Sequence, residues 1–267
     1  MKLEGELRTA LAGEITPKFL ATLDAEGRPN CVPVISITPY DDEHLVFGEF
    51  MMNKTRRNLA ACDTVGIAVV TETLDMWSLK GTFLGFETTG ERVEEIDRSP
   101  LLRYNAYTSA RAAGLIRVEV VSEKRVMGKL SVLGTFLRAW PKLRAIKRAA
   151  DARAVMPARV EEKFGRLSAV RVAAYRDGDG YPHAFGFMAG FAAGPSRLVL
   201  TDRAFGAQCD GLAVGAPMAV CILTMDPIAY QVKGTYAGQC HGVGVLEVEE
   251  CYSASPPLLG ERLDQPV

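Results

Sequence analysis

Short apolar runs separated by turn residues dominate the chain, and their spacing is that of strands. Lys18–Leu23 and Cys31–Thr38 are apolar and β-branched, and they flank Asp24-Ala25-Glu26-Gly27-Arg28-Pro29, whose Gly and Pro suit a hairpin turn. His44–Gly48 and Val65–Thr71 read as a third and a fourth strand, and Trp77–Phe86 with Thr88–Val93 as a long hairpin. Leu115–Met127 alternates apolar with polar residues and reads as the closing strand. Two stretches break the period: Leu3–Leu11 and Asn53–Cys62 each suit one short helix, the second with Asn53 placed to cap it. Antiparallel strands at this spacing suit a small closed barrel, which leaves no exposed sheet edge.

The pattern then repeats. Displaced by 153 positions, Asp24 falls on Asp177, Gly27 and Pro29 on Gly180 and Pro182, and Leu45-Val46 on Leu198-Val199. Lys80-Gly81-Thr82-Phe83 falls on Lys233-Gly234-Thr235-Tyr236, with Trp77 on Tyr230, and the helix Ala158–Phe164 answers the first one. Three separate motifs sharing one displacement indicate a tandem duplication. The fold class expected is mainly β with short helices: two tandem split barrels, residues 1–127 and 158–267, joined by a basic helical connector over 128–157. Ser255-Pro256-Pro257-Leu258-Leu259 echoes Ser99-Pro100-Leu101-Leu102, and nothing after it matches Leu115–Met127, so the second barrel is expected to be incomplete.

Composition narrows the function classes. Of 267 residues, 48% are hydrophobic and 24% charged, the mixture of a folded domain with a real core. Lys and Arg (31) balance Asp and Glu (32), so no global field favours nucleic acid or anionic lipid. The connector is the local exception, with seven Lys/Arg and one acid between Arg138 and Arg159; it reads either as an anion-binding face or as a solvated linker. No uninterrupted apolar run approaches the roughly 18 residues of a membrane span. Six dispersed cysteines and three scattered histidines give no metal-site spacing. A cytoplasmic chain with reduced thiols and no structural metal is expected.

Candidate chemistry concentrates in Phe47–Leu59, where a strand leads into a helix. The first turn of a helix offers unpaired N–H groups and partial positive charge. Lys54 adds a point charge, Thr55 a hydroxyl, and Arg56 or Arg57 a two-pronged donor. Together they suit a phosphate, although a solvated basic turn would carry the same residues. The second copy has Ala207, Gln208, Cys209, Asp210 and Gly211 at the positions of Lys54–Asn58, so it lacks the cation.

The order of hairpin with Gly-x-Pro, strand ending near Gly48, Lys54-Thr55-x-x-Asn58-Leu59, then Val65-Gly66-Ile67-Ala68-Val69 resembles the FMN-binding split-barrel superfamily. These are the pyridoxamine 5'-phosphate oxidase-like proteins, including small FMN-binding and flavoredoxin-like members. Leu79-Lys80-Gly81-Thr82, Glu94-Glu95 and Ile116-Arg117-Val118-Glu119-Val120 extend the likeness over residues 15–127, and residues 168–252 share it more faintly. The resemblance implies that Lys54 and Thr55 bind the FMN phosphate with Arg56 and Asn58 as helpers. It further implies that Glu49, Phe50, Met51 and Met52 line the flavin ring and that Val34, Ile35 and Ser36 meet its other edge. The family's flavin lies between two barrels, which here means a pseudo-dimer within the chain or a homodimer.

The expected function is therefore that of an FMN-dependent oxidoreductase passing electrons from a reduced nucleotide or other small-molecule donor to an acceptor. A non-catalytic FMN electron carrier is the alternative, and a degenerate barrel binding haem or a protein partner a third. No Ser/His/Asp or paired-carboxylate arrangement stands out, and none is required when the cofactor carries the redox chemistry. No catalytic residue is assigned. The oxidase's own Arg- and Trp-bearing carboxy-terminal segment is not recognisable in Ser253–Val267, which disfavours pyridoxamine phosphate as substrate.

Overall fold

The computed structural model describes residues 2–99, 110–126, 134, 146, 154–187, 189–201, 208–209, 212–240, 243–255 and 260–263. The first copy runs α1 (Gly5–Ala12), β1 (Lys18–Leu23), β2 (Pro29–Pro33), β3 (Thr38–Pro39), β4 (His44–Glu49), α2 (Asn53–Ala61), β5 (Thr64–Val70), β6 (Asp75–Glu87), α3 (Glu91–Arg98), β7 (Ala112–Val121) and β8 (Arg125–Val126). The second runs α4 (Ala158–Phe164), β9 (Val170–Arg176), β10 (Pro182–Phe187), β11 (Gly190–Ala192), β12 (Arg197–Leu200), β13 (Pro217–Leu223), β14 (Ala229–Cys240) and β15 (Val243–Ser253).

The duplication is visible in the topology. One antiparallel sheet has the order β2-β1-β5-β6-β7-β4-β3, with β8 added to β6, and the other has β10-β9-β13-β14-β15-β12-β11, the same path strand for strand. Each sheet curls around its own core. In the first, Leu20, Phe47, Ile67, Leu79 and Ile116 from five strands meet Leu7 and Leu11 of α1 and Leu59 of α2. Trp77 belongs to this core, and its counterpart Tyr230 packs against the core of the second copy.

Alternation within the strands then joins the copies. On β5, Val65, Ile67 and Val69 face the barrel core, while Ala68 faces outward into a second cluster. On β9 and β13, Ala173, Val220 and Ile222 point inward, while Val172, Ala174, Ala219 and Cys221 point outward. The outward sets of both copies, with Phe19, Ala21, Cys31 and Ala184, form one shared core. Its residues are mostly small, so the sheets approach closely: a Cβ on Gly66 would lie 2.1 Å from the Pro182 carbonyl oxygen. Burial on both faces explains why these strands read as unbroken apolar runs. β2 packs on β13 and β10 on β5, the same pairing with the copies exchanged. The two copies therefore form a pseudo-dimer within the chain.

A matched pair of buried cations marks the same symmetry. Lys18 Nζ donates to the carbonyls of Leu11 (2.9 Å) and Gly13 (2.8 Å) at the end of α1. Arg171, 153 positions later, donates to the carbonyl of Phe164 at the end of α4 and to those of Arg166 and Ala169 in the turn that follows. Each satisfies carbonyls at and just after the end of its helix. Burial pushes the Lys18 amine down to about 8 and the Arg171 guanidinium to about 10.

Several expectations are corrected. The second copy is not short of its closing strand. β15 pairs with β12 through Leu198↔Leu246 and Leu200↔Gly244, as β7 pairs with β4 through Leu45↔Ile116 and Phe47↔Gly114. What is missing is the segment carrying α3, so β15 follows β14 almost directly and the 153-residue displacement no longer finds it. Among the described residues the second copy has no counterpart of α3 or β8, and several of the positions answering to α2 lie outside them. Thr88–Val93 is no strand: β6 runs unbroken to Glu87, and Gly90 (φ 113°) turns the chain into α3, which buries Ile96. The strand expected over Cys31–Thr38 begins at Pro29 and stops at Pro33. Most of the connector lies outside the described residues; its Ile146 is buried against Val199 and Val245. Among the described residues no helix is long and apolar enough to cross a membrane.

Candidate functional site

The β4–α2 loop opens onto the junction between the copies. Asn53 is the first helical residue of α2 rather than its cap, and no side chain caps this helix, whose N-cap residue is Met52. Its first-turn N–H groups are thus left for another partner. Two cavities flank the turn. One, of about 270 Å³, is lined by Val32 and Pro33 of β2, Met51, Met52 and Thr55, and by Gln231 and Tyr252 of the second copy. The other, of about 440 Å³, is lined by Arg28 of the hairpin turn, Asn58 of α2, and Lys233 and Glu250 of the second copy. Asn30, Lys54, Arg57 and Tyr252 border both, so the cavities meet at the Lys54 ammonium.

Acids and bases are equal in number around the larger cavity, with Asp24, Glu26, Glu249 and Glu250 against Arg28, Lys54, Arg57 and Lys233, but three of the cations lack a direct partner among the described residues. Lys54 Nζ lies 3.0 Å from the centroid of the Tyr252 ring, and Lys233 Nζ lies 5.9 Å from the same point. Lys54, Arg57 and Lys233 form no hydrogen bond or ion pair with any described residue. Burial, then the proximity of Lys233, pushes the Lys54 amine down to about 8 against the opposing pull of Glu250. Burial likewise lowers Lys233. Glu250 accepts from Tyr252 Oη (2.9 Å) and pairs with Arg262 (3.4 Å), so its charge is already engaged. Two half-buried ammonium groups close together repel each other, and an anion between them would relieve both. Two polar atoms add to this picture: Asn30 Nδ2 and Gln231 Oε1 are buried without a hydrogen-bond partner beside the smaller cavity. Orphaned buried groups of this kind cost free energy until a partner arrives.

The residues expected from the sequence divide. Met51, Met52, Lys54, Thr55 and Asn58 line the junction cavities. Asn58 is also structural, donating from Nδ2 to Thr22 Oγ1 (3.0 Å) and so tying α2 to β1. The remaining expected residues lie elsewhere. Val34 is core. Ile35 and Ser36 line a separate cavity of about 230 Å³ beside α3, although Ser36 Oγ still touches the start of the β4–α2 segment by accepting from the Gly48 N–H (3.0 Å). Phe50 packs against Val46 and Ile96. Glu49 is buried and ion-paired with Arg56, whose guanidinium sits 5.1 Å above the Phe86 ring, so neither faces the junction. Sequence reasoning missed Asn30, Val32, Pro33, Gln231 and Tyr252. Lys233 enters the sequence reading only as the position matched to Lys80, and the duplication is the signal that could have placed these strands across from Lys54.

At the pseudo-symmetric position the groups are internally satisfied. Lys80, the counterpart of Lys233, lies 2.6 Å from both Asp177 and Asp179. His183 Nε2 is 3.0 Å from Gln208 Oε1 and its ring stacks on Phe185, and burial lowers its pKa. Cys209 is packed into the second core, and Ala207, Asp210 and Gly211 lie outside the described residues.

Comparison with known proteins adds the family. Residues 3–134 match the family described as Pyridoxamine 5'-phosphate oxidase. Among solved structures, group A Streptococcus HupZ is 24% identical, with 45% of this chain and 95% of that one covered at a TM-score of 0.38. An FMN-binding protein from Syntrophomonas wolfei is 13% identical (46% and 85% covered, TM-score 0.40). A putative pyridoxamine 5'-phosphate oxidase from Lactobacillus delbrueckii is 20% identical (46% and 94%, TM-score 0.38). No curated protein matches the sequence significantly. The amino-terminal half of the chain thus belongs to the pyridoxamine 5'-phosphate oxidase-like split-barrel proteins, and the carboxy-terminal half repeats the same strand path in tandem.

Proposed function

We propose that the chain binds one FMN at the junction of its two copies and serves as an FMN-dependent oxidoreductase. The observation that carries this reading is a mixed cavity in which one apolar wall (Val32, Pro33, Met51, Met52) stands beside a cationic end without a direct carboxylate partner among the described residues, at Lys54 and the uncapped start of α2. A flat heteroaromatic ring with a phosphate tail has that polarity. The unpartnered Asn30 Nδ2 and Gln231 Oε1 offer one donor and one acceptor to such a ring's polar edge. Lys54, Thr55 and Arg57 hold the phosphate, and the two β-strand walls exclude water from the ring. Bound flavin would supply hydride and electron transfer, which no described side chain supplies. The asymmetry of the copies supports one flavin per chain.

The test is to purify the protein, or reconstitute it with FMN, and quantify released flavin against protein. About one FMN per chain is expected, two would show that the second copy also binds, and none would overturn the reading. Anaerobic NAD(P)H then separates the functions: bleaching of the flavin band marks a reductase with that donor, and an unchanged band with dithionite-reducible flavin marks a carrier.

A further inference from the structure

The matched hairpin turns of the two copies treat their lysines in opposite ways. In the second copy, Asp177 and Asp179 both reach across the junction to Lys80. Their counterparts in the first copy are Asp24 and Glu26, which border the same cavity as Lys233. These acids are taken by Arg28 instead, at 2.9 Å and 3.1 Å. The second copy has Tyr181 where the first has Arg28, so nothing there competes with Lys80 for the acids. One arginine thus leaves Lys233 without a carboxylate within 4 Å among the described residues, half-buried, facing Lys54 around a shared tyrosine ring.

We propose that Lys233 of the second copy binds the phosphate of a phosphomonoester ligand jointly with Lys54 of the first, and that Arg28 is a positioning residue that keeps Lys233 free to do so. The inference rests on the junction being the ligand site and extends it by assigning half of the anion-binding charge to the copy that lost its own loop cation. A terminal phosphate carries about two negative charges near neutral pH and can accept from both sides, which suits two ammonium groups converging from opposite walls.

The experiment compares full-length wild type with Lys233→Met, Arg28→Tyr and Lys80→Met for binding of FMN, riboflavin and inorganic phosphate by calorimetry. Lys233→Met should weaken FMN by about 10- to 100-fold and leave riboflavin unchanged, since only FMN has the phosphate. Arg28→Tyr should weaken FMN in the same direction by releasing Asp24 and Glu26 onto Lys233, and adding Asp24→Asn and Glu26→Gln should restore it. Lys80→Met, whose lysine is already neutralised, should bind FMN as wild type does. If Lys233→Met misfolds, Lys233→Arg retains the charge, and the Arg28 series still decides. Undiminished FMN affinity in both Lys233→Met and Arg28→Tyr overturns the proposal while leaving the flavin reading intact. Phosphate binding that depends on Lys233, without FMN binding, supports the proposal and removes FMN as the ligand. Binding of neither FMN nor phosphate overturns both.

Discussion

Replacing Lys54 with alanine is the sharpest test of the junction as a phosphate site. The ammonium stands where two cavities meet and has no carboxylate partner, so its loss removes one charge-assisted contact from a partly desolvated site. Truncating one partner of such a pair costs about 2–5 kcal/mol, or roughly thirty-fold to a few thousand-fold in FMN affinity. Lys233 and Arg57 remain and place the expectation in the lower part of that range. The pH profile adds a second reading. Free Lys54 titrates near 8, and a bound phosphate raises that value, so above pH 8 the protein must take up a proton to bind. Affinity should therefore fall as pH rises beyond 8, by up to about tenfold per unit. Below about 6 it should fall again as the phosphate gains its proton. Fluorescence titration of FMN from pH 5.5 to 9.5 would show a plateau between these limits, a shallower alkaline decline in Lys54→Ala, and a decline displaced to higher pH in Lys54→Arg. Wild-type affinity with an unchanged alkaline decline in Lys54→Ala would refute the reasoning.

Two stability predictions test the fold that builds this site. Gly66→Ala drives a Cβ into the Pro182 carbonyl at the contact between copies, so it should destabilise by about 1–3 kcal/mol, read as a lower urea midpoint. Lys18→Met leaves the Leu11 carbonyl without its donor and the Gly13 carbonyl with only the Thr16 N–H, a loss of about 1–3 kcal/mol at pH 7. Because the folded-state pKa of Lys18 is near 8 and the unfolded value near 10.5, the folded chain binds fewer protons between those values. Its contribution to stability therefore rises with pH across that window. The gap between wild type and Lys18→Met should widen by as much as about 3 kcal/mol from pH 8 to 10.5, and a constant gap in denaturation curves would contradict the assigned burial.

Much of the architecture is legible in the sequence because it depends on local pattern. Lys18–Leu23, His44–Gly48 and Ala158–Phe164 fall where periodicity and turn residues put them, and the 153-residue displacement announces two copies of one unit. The Lys54-Thr55 turn is equally local, a strand running into a helix. The start of Glu91–Arg98 reads as strand because Thr88, Thr89 and Val93 are β-branched, whereas a single buried residue, Ile96, and Gly90 before it decide for a helix. β15 escapes the repeat because a fixed displacement cannot cross a deletion.

What only the tertiary structure decides is which side chains meet. Ile35 and Ser36 are expected by analogy to face the β4–α2 loop, yet they line another cavity, with Ser36 touching that segment only through Gly48. Gln231, Lys233 and Tyr252 are remote in sequence, yet the alanine-rich faces of β1, β5, β9 and β13 dock and bring them onto Lys54. The sequence determines the strands, the duplication and the cation; the docking of two curved sheets determines whether that cation is neutralised. The physical reason is range. Strand and helix formation answer to neighbours a few residues away, whereas the charge state of Lys54, Lys80 and Lys233 depends on groups up to about two hundred positions distant that only burial of the shared core brings within a few ångströms.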